Sequence, residues 1–347
     1  MNHEQHSLLK KLLECYGPSG NEEKIRDLIR EEIQDYVTEI RTDAMGNLIA
    51  IKKGSGKKVM IASHMDEIGV IVTGIDEKGF LRFSNVGGVS PHVSLGQRVL
   101  FQEGTIGVIG IEDLENMKDL KLNKMYIDIG AETKEEAAKK VQIGDMACFY
   151  QPMALLEKNI VSKALDDRIG CFIAIEALKR IQSSHNELYF VFTVQEELGI
   201  RGAKTAAYGL DPDLGIAIDV TSTGDTPKAK PMAVELEKGP AVKVMDKSIL
   251  CHPMVKKIMI DTANENQIPY QLEVLEFGGT DSGAIHLTRS GVPSGVLSIP
   301  CRYIHTPSEM VSEKDVENAI LLLTKILKNP SRYNISPCLM HGPIFLK

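Results

Sequence analysis

Apolar residues recur at helical spacing through the first 36 positions. Leu8, Leu9, Leu12 and Leu13 share one face of residues 6–16, which Gly17 ends, and Ile25, Leu28, Ile29 and Ile33 share one face of residues 21–36. Two amphipathic helices are predicted, the second with Glu22 and Glu23 early, where the helix dipole favours acids. The period then shortens. Strands are expected at 37–41, 48–52 and 58–62, broken by turns through Asp43 to Asn47 and a Gly-Ser-Gly. From 69 to 158 short β runs (VIVTGI, FLRFS, RVLFQ, TIGVIG, MYIDIG, DMACFY) alternate with turns rich in Gly, Asp and Asn, with one helical piece at 133–140. Regular short strands of this kind predict a small β-barrel or sandwich. From 159 onward helix and strand alternate again: helix 167–181, strands 188–194, 214–220 and 241–246, helix 253–264, strand 271–275, a strand near Val296 and helix 313–327. The pattern is α/β, so a domain made of 1–68 and 159–347 is interrupted by an inserted β domain at 69–158.

The β runs deliver polar residues at their carboxyl ends, where ligands bind in open α/β sheets. VMIAS runs into His64 and Asp66, the run 188–194 into Glu196 and Glu197, and IAIDV carries Asp219. Asp166 and Asp167 in ALDDRIG and His305 in RYIHTPSE adjoin further runs. Each has an ordinary alternative: Asp166 and Asp167 could cap the following helix, and a lone His or Asp could be structural. Together, two histidines and several carboxylates are the donor set that zinc or cobalt prefers. A metal centre is expected, with two ions if one carboxylate bridges.

Composition narrows the partners. The 347 residues are 43% hydrophobic and 25% charged, with a net charge of −7 and no basic block, which disfavours a nucleic-acid partner. Trp is absent and aromatics make up 5%, which argues against a stacking surface for sugars or bases. No run approaches the roughly 18 apolar residues of a membrane span, and the charged N-terminus resembles no export signal, so a cytoplasmic location is expected. Cys15, Cys148, Cys171, Cys251, Cys301 and Cys338 are scattered without a CxxC pair and are expected to be reduced.

The motifs SHMDEIG, ALDDRIG, QEELGIRGA, AIDV, GGTDSGAI and RYIHTPSE, in this order, resemble the dinuclear metallo-aminopeptidases that include the tetrahedral (TET) and glutamyl aminopeptidases, some of whose members carry an endoglucanase label. The resemblance covers essentially the whole chain. It implies a mixed-sheet, zinc-exopeptidase-like domain with helices on both faces, and a PDZ-like β insertion that mediates dimers and dodecamers. It further implies two divalent ions, with His64 and Asp219 on one, Glu197 and His305 on the other, and Asp166 bridging. Glu196 would be the general base and Asp66 would orient His64, with a cis peptide at Asp166-Asp167. The implied reaction is removal of N-terminal residues from short peptides. Gly278, Gly279 and Asp281 would form a substrate-side loop, although a glycine turn opening a helix also fits. Arg302 would contact substrate or form a structural ion pair, and His92 would lie in a dimer contact or a polar turn. A deacylase or carboxypeptidase of related fold, or a non-catalytic assembly protein, stays open beside this reading.

Overall fold

The computed structural model describes residues 1–329; Cys338, His341 and the end of the 159–347 segment lie outside them. In chain order the strands are β1 (Glu39–Thr42), β2 (Leu48–Lys52), β3 (Lys58–His64), β4 (Gly69–Ile75), β5 (Leu81–Val86), β6 (Arg98–Phe101), β7 (Ile106–Ile111), β8 (Met125–Asp128), β9 (Met146–Phe149), β10 (Ala154–Leu156), β11 (Asn159–Ser162), β12 (Glu187–Thr193), β13 (Leu214–Thr221), β14 (Ala241–Met245), β15 (Gln271–Val274), β16 (Ser294–Arg302) and β17 (Glu309–Ser312). The helices are α1 (His3–Glu14), α2 (Glu23–Ile33), α3 (Pro91–Ser94), α4 (Lys134–Ala138), α5 (Leu165–Lys179), α6 (Arg201–Leu210), α7 (Pro253–Glu265), α8 (Ser282–Ile285) and α9 (Glu313–Lys328).

One mixed sheet runs β1-β2-β12-β3-β13-β16-β17-β11-β10, with β14 beside β16 and β15 beside β14. Its centre is parallel: β12 and β13 both flank β3, and β13 pairs parallel with β16. Central parallel strands are covered on both faces, so they are apolar throughout rather than alternating with polar residues. The pleat divides them between two cores. Val59 and Ile61 of β3, with Leu188, Phe190 and Phe192 of β12, face the layer built by α1, α2, α5, α7 and α9. Met60, Ala62, Tyr189 and Val191 face Ala203, Ala206 and Ala207 of α6, and Ile285 of α8. This is the expected α/β fold with helices on both faces.

β4 to β9 close into a barrel in the order β4-β5-β8-β7-β6-β9, with every pairing antiparallel. Val70, Leu81, Phe83, Val99, Phe101, Ile127 and Phe149 fill it. The predicted insertion, 69–158, overruns this barrel. β9 ends at Phe149, whereas β10 turns back through Glu157 (φ 54°) onto β11 and joins the large sheet. The barrel is anchored to the rest of the chain at the α1–α2 turn: Tyr16 Oη donates to the Met146 carbonyl at 3.0 Å, and Lys24 Nζ to the Gln102 carbonyl at 2.5 Å.

Two differences from the sequence pattern have local causes. α1 starts earlier than its apolar stripe because Asn2 caps it: Asn2 Oδ1 accepts from Gln5 N at 2.9 Å, and Gln5 Oε1 accepts from Asn2 N at 3.0 Å. α6 has no counterpart among the predicted elements. Its buried face is Gly202, Ala203, Ala206, Ala207 and Leu210, with Leu210 the one large apolar side chain and the rest small enough to let the helix lie close against the sheet.

Candidate metal centre

β12, β3, β13 and β16 run in one direction, so their carboxyl ends meet along a single edge. His64 closes β3 opposite Thr193, and Asp219 sits near the end of β13 opposite Ser298. Past β12 the chain turns sharply. Glu196 and Glu197 lie in this turn, where the Glu196 carbonyl accepts from Gly199 N and Ile200 N, both at 2.8 Å. The two glutamates are therefore carried by a turn that follows the strand. Asp166 and Asp167 open α5 with non-helical backbone, joined by a cis peptide as the resemblance implied. Here the capping and site readings divide between neighbours: Asp167 Oδ1 accepts from Gly170 N at 3.1 Å, while Asp166 faces the histidines. Ala164 (φ 55°), Gln195 (φ 53°) and His305 (φ 61°) are left-handed residues beside the site. Such residues cost about 1–3 kcal/mol each and persist where the surroundings over-determine them.

The Asp166 carboxylate is the hub. Oδ1 is 3.0 Å from His64 Nε2, and Oδ2 is 3.3 Å from His305 Nε2. His305 Nε2 is also 3.3 Å from Glu197 Oε2, and His64 Nε2 is 3.9 Å from Asp219 Oδ1. Possible ligand atoms of His64, Asp166 and Glu197 lie within 4.8 Å of one another, as do those of His64, Asp167 and Asp219. The structure thus adds Asp167 to the residues that can reach a cation. Asp66 is fully buried, with its carbonyl 3.1 Å and its Oδ1 3.5 Å from His64 Nδ1. Its carboxylate also accepts from Glu196 N at 3.0 Å, Glu197 N at 3.2 Å and Ser19 Oγ at 2.5 Å. One residue therefore holds the His64 ring and the turn that carries both glutamates.

The electrostatics show that the site suits cations. Burial opposes a charge on His305, yet hydrogen bonds to Asp166 and Glu197 outweigh it and push the imidazole up to about 12. His64 is raised well above its usual value for the same reason, through Asp166 and Asp66. Glu197 Oε1 and Asp167 Oδ2 are buried without a hydrogen-bond partner among the described residues. Buried, unpaired carboxylates are costly unless something positive completes them. A donor set of two imidazoles and several carboxylates, part of it unpaired, fits divalent metal.

A cavity of about 510 Å³ opens over His64, Asp166, Glu196, Glu197, Asp219 and His305. Gly278 and Gly279 also line it. Asp281 does not: it is buried behind the loop, where Oδ2 accepts the Thr193 hydroxyl at 2.5 Å. Arg302 is not on the wall either, because its guanidinium grips Asp225 at 2.7 and 3.0 Å, the structural ion pair that was the alternative for it. His92 lies in α3 on the barrel. Lys243 also lines the cavity, itself held 2.5 Å from Glu273 and 3.4 Å from Asp246.

Sequence reasoning passed over Glu309, the last residue of RYIHTPSE. It is fully buried, with Oε2 accepting from Asp166 N at 2.9 Å and Oε1 from His305 N at 2.9 Å. One carboxylate ties the backbones of two candidate ligands from distant segments. Only a group with two acceptor oxygens can do this, so Glu309→Gln leaves one N–H facing an NH₂ group. We expect that variant to bind metal about 10- to 100-fold more weakly by calorimetry. Unchanged affinity would contradict the role.

The chain is similar to known proteins over most of its length. The family model described as M42 glutamyl aminopeptidase matches residues 46–322. A putative aminopeptidase of Acetivibrio thermocellus is 57% identical over 92% of this chain and 97% of its own length. An aminopeptidase structure from the archaeon Desulfurococcus kamchatkensis superposes with a TM-score of 0.93 at 38% identity, covering 99% of each chain. The TET1 peptidase of Pyrococcus horikoshii, which can assemble into a tetrahedron or a large octahedral shell, gives a TM-score of 0.86 at 34% identity over 93% of this chain and 99% of its own.

Proposed function

The chain belongs to the M42 glutamyl aminopeptidase family of peptide hydrolases, and from that premise we propose that it is a metal-dependent aminopeptidase removing N-terminal residues from short peptides. The observation that carries this reading is the Asp166 carboxylate, with one oxygen 3.0 Å from His64 and the other 3.3 Å from His305. His64 and Asp219 would hold one divalent ion, Glu197 and His305 a second, and Asp166 both, with zinc or cobalt favoured by the donor types. Bound there, two such ions polarise a scissile carbonyl and lower the pKa of water toward neutrality.

The protein's own part is proton transfer and orientation. Glu196 lines the cavity, and its side chain makes no hydrogen bond or ion pair to His64 or His305 among the described residues. Burial raises its carboxyl well above the usual range, and Asp219, Asp281 and Glu197 add to the effect. It is placed to take a proton from the attacking water and pass it to the departing amine. Asp66 keeps Glu196 in place through its backbone N–H. The acidic edge of the cavity, where Glu196 and Glu197 line it, would meet the substrate's free α-amine. Leu275, Phe277 and Ile304 give the cavity an apolar side, and Lys243 is already neutralised, so the reading favours apolar or neutral N-terminal residues over acidic ones.

Self-association through the inserted barrel belongs to the same proposal. Ile106 and Val108 of β7, and Ile143, are 45%, 46% and 68% exposed on it, apolar surface of the kind subunit contacts cover. No described helix is long and apolar enough to cross a membrane.

Calorimetric titration of chelated protein with Zn²⁺ or Co²⁺ tests the metal reading. His305, pushed up to about 12, carries a proton at neutral pH, and only the neutral imidazole can bind metal. Binding must therefore displace protons, and log affinity should rise by about one unit per pH unit for each proton displaced. We expect two ions per chain, proton release, and activity returning in step with loading. Hydrolysis that survives complete chelation would end the reading.

A further inference from the structure

The inserted barrel touches the candidate centre at two glycines after β5. Gly88 is exposed and its φ lies outside the left-handed region, so nothing in its own backbone requires glycine. A methyl group built there would nevertheless lie 2.3 Å from His305 Nδ1 and 2.6 Å from His305 Cε1. Its neighbour Gly87 is left-handed (φ 76°), and a Cβ there would come within 3.1 Å of Glu197 Cβ and 3.2 Å of Glu197 Oε2. The barrel backbone thus lies against two side chains that serve the same proposed metal position.

We infer that Gly88 is a positioning residue: its bare backbone is the stop against which the His305 ring rests, so that Nε2 stays over Asp166 and Glu197. Any side chain at 88 meets the imidazole before it meets anything else, and the ring is the softer partner. The His305 side chain is 39% exposed and can swing outward, whereas the turn before Gly88 is tied down at the Gly87 carbonyl, which accepts from Val89 N at 3.1 Å and Asn85 Nδ2 at 2.7 Å. The consequence is asymmetric. Barrel geometry sets the position built on Glu197 and His305, while the position built on His64 and Asp219 is independent of these two glycine contacts. The inference rests on the two-metal reading above.

The test is Gly88→Ala and Gly88→Val in the full-length protein, titrated with Co²⁺ beside wild type while binding is followed by calorimetry and by the visible Co²⁺ spectrum. The expected result is one ion bound as in wild type and a second weakened about 10- to 100-fold, more for Val than for Ala, with the spectral component of the second ion altered. The thermal midpoint of the metal-free variants should match wild type. Two ions bound with wild-type affinity and spectrum would overturn the inference, as would equal loss at both positions accompanied by a lowered metal-free midpoint, which would make Gly88 a folding residue. Wild type binding fewer than two ions would instead overturn the two-metal reading.

Discussion

Glu196→Gln is expected to lower kcat by about 10²- to 10⁴-fold while leaving metal content, fold and KM close to wild type. The amide keeps the shape and volume of the carboxylate, so the cavity wall survives. It cannot take up a proton, so the step in which water is activated loses its base. The structure separates this residue from its neighbour. Glu197 Oε2 lies 3.3 Å from His305, whereas the Glu196 side chain lines the cavity with no hydrogen bond or ion pair to either histidine among the described residues. Glu197→Gln should therefore lose metal first and activity as a result, the reverse order. Metal analysis beside kcat distinguishes the two, and a fall in bound metal for Glu196→Gln that parallels its loss of rate would show that Glu196 is a ligand.

What the sequence made legible follows from how strongly each signal depends on context. β3, β12 and β13 are buried on both faces, so their apolar runs stand out, and the polar residue ending each run is conspicuous against them. That contrast is why His64, Glu196, Glu197 and Asp219 could be named before their spatial arrangement was known. Signals that depend on tertiary partners were weaker. α6 escaped because its buried face holds one large apolar residue, Leu210, among alanine and glycine, and β10 was given to the insertion because a strand of ALL does not reveal which sheet it joins. Arg302 looked available for substrate until its position beside Asp225 was seen, 77 residues away in sequence. Glu309 escaped for a subtler reason. Its partners are backbone amides, which every residue has, so no pattern of side chains announces them. Gly87 and Gly88 carry no signal of their own in the sequence, and only the closeness of His305 and Glu197 gives them a meaning.

N-terminal acetylation of a peptide substrate is expected to reduce kcat/KM by about 10²-fold or more. Acetylation removes the amine's charge and its capacity to bind a metal or to donate several hydrogen bonds. The carboxylates at the acidic edge of the cavity that would meet the amine then stay unpaired. Each such group costs about 1–3 kcal/mol, and more when charged. Changing the first side chain should matter less, since the cavity side formed by Leu275, Phe277 and Ile304 is apolar and one methylene there is worth only about 1–3 kcal/mol. The same comparison separates the aminopeptidase reading from a deacylase of related fold, for which the acyl group would be the preferred feature. The most direct measurement is kcat/KM for a leucyl peptide and for its N-acetylated form on one metal-loaded preparation. The account predicts fast cleavage of the free peptide and a loss of about 10²-fold or more for the acetylated one; equal rates, or a faster acetylated peptide, would contradict it.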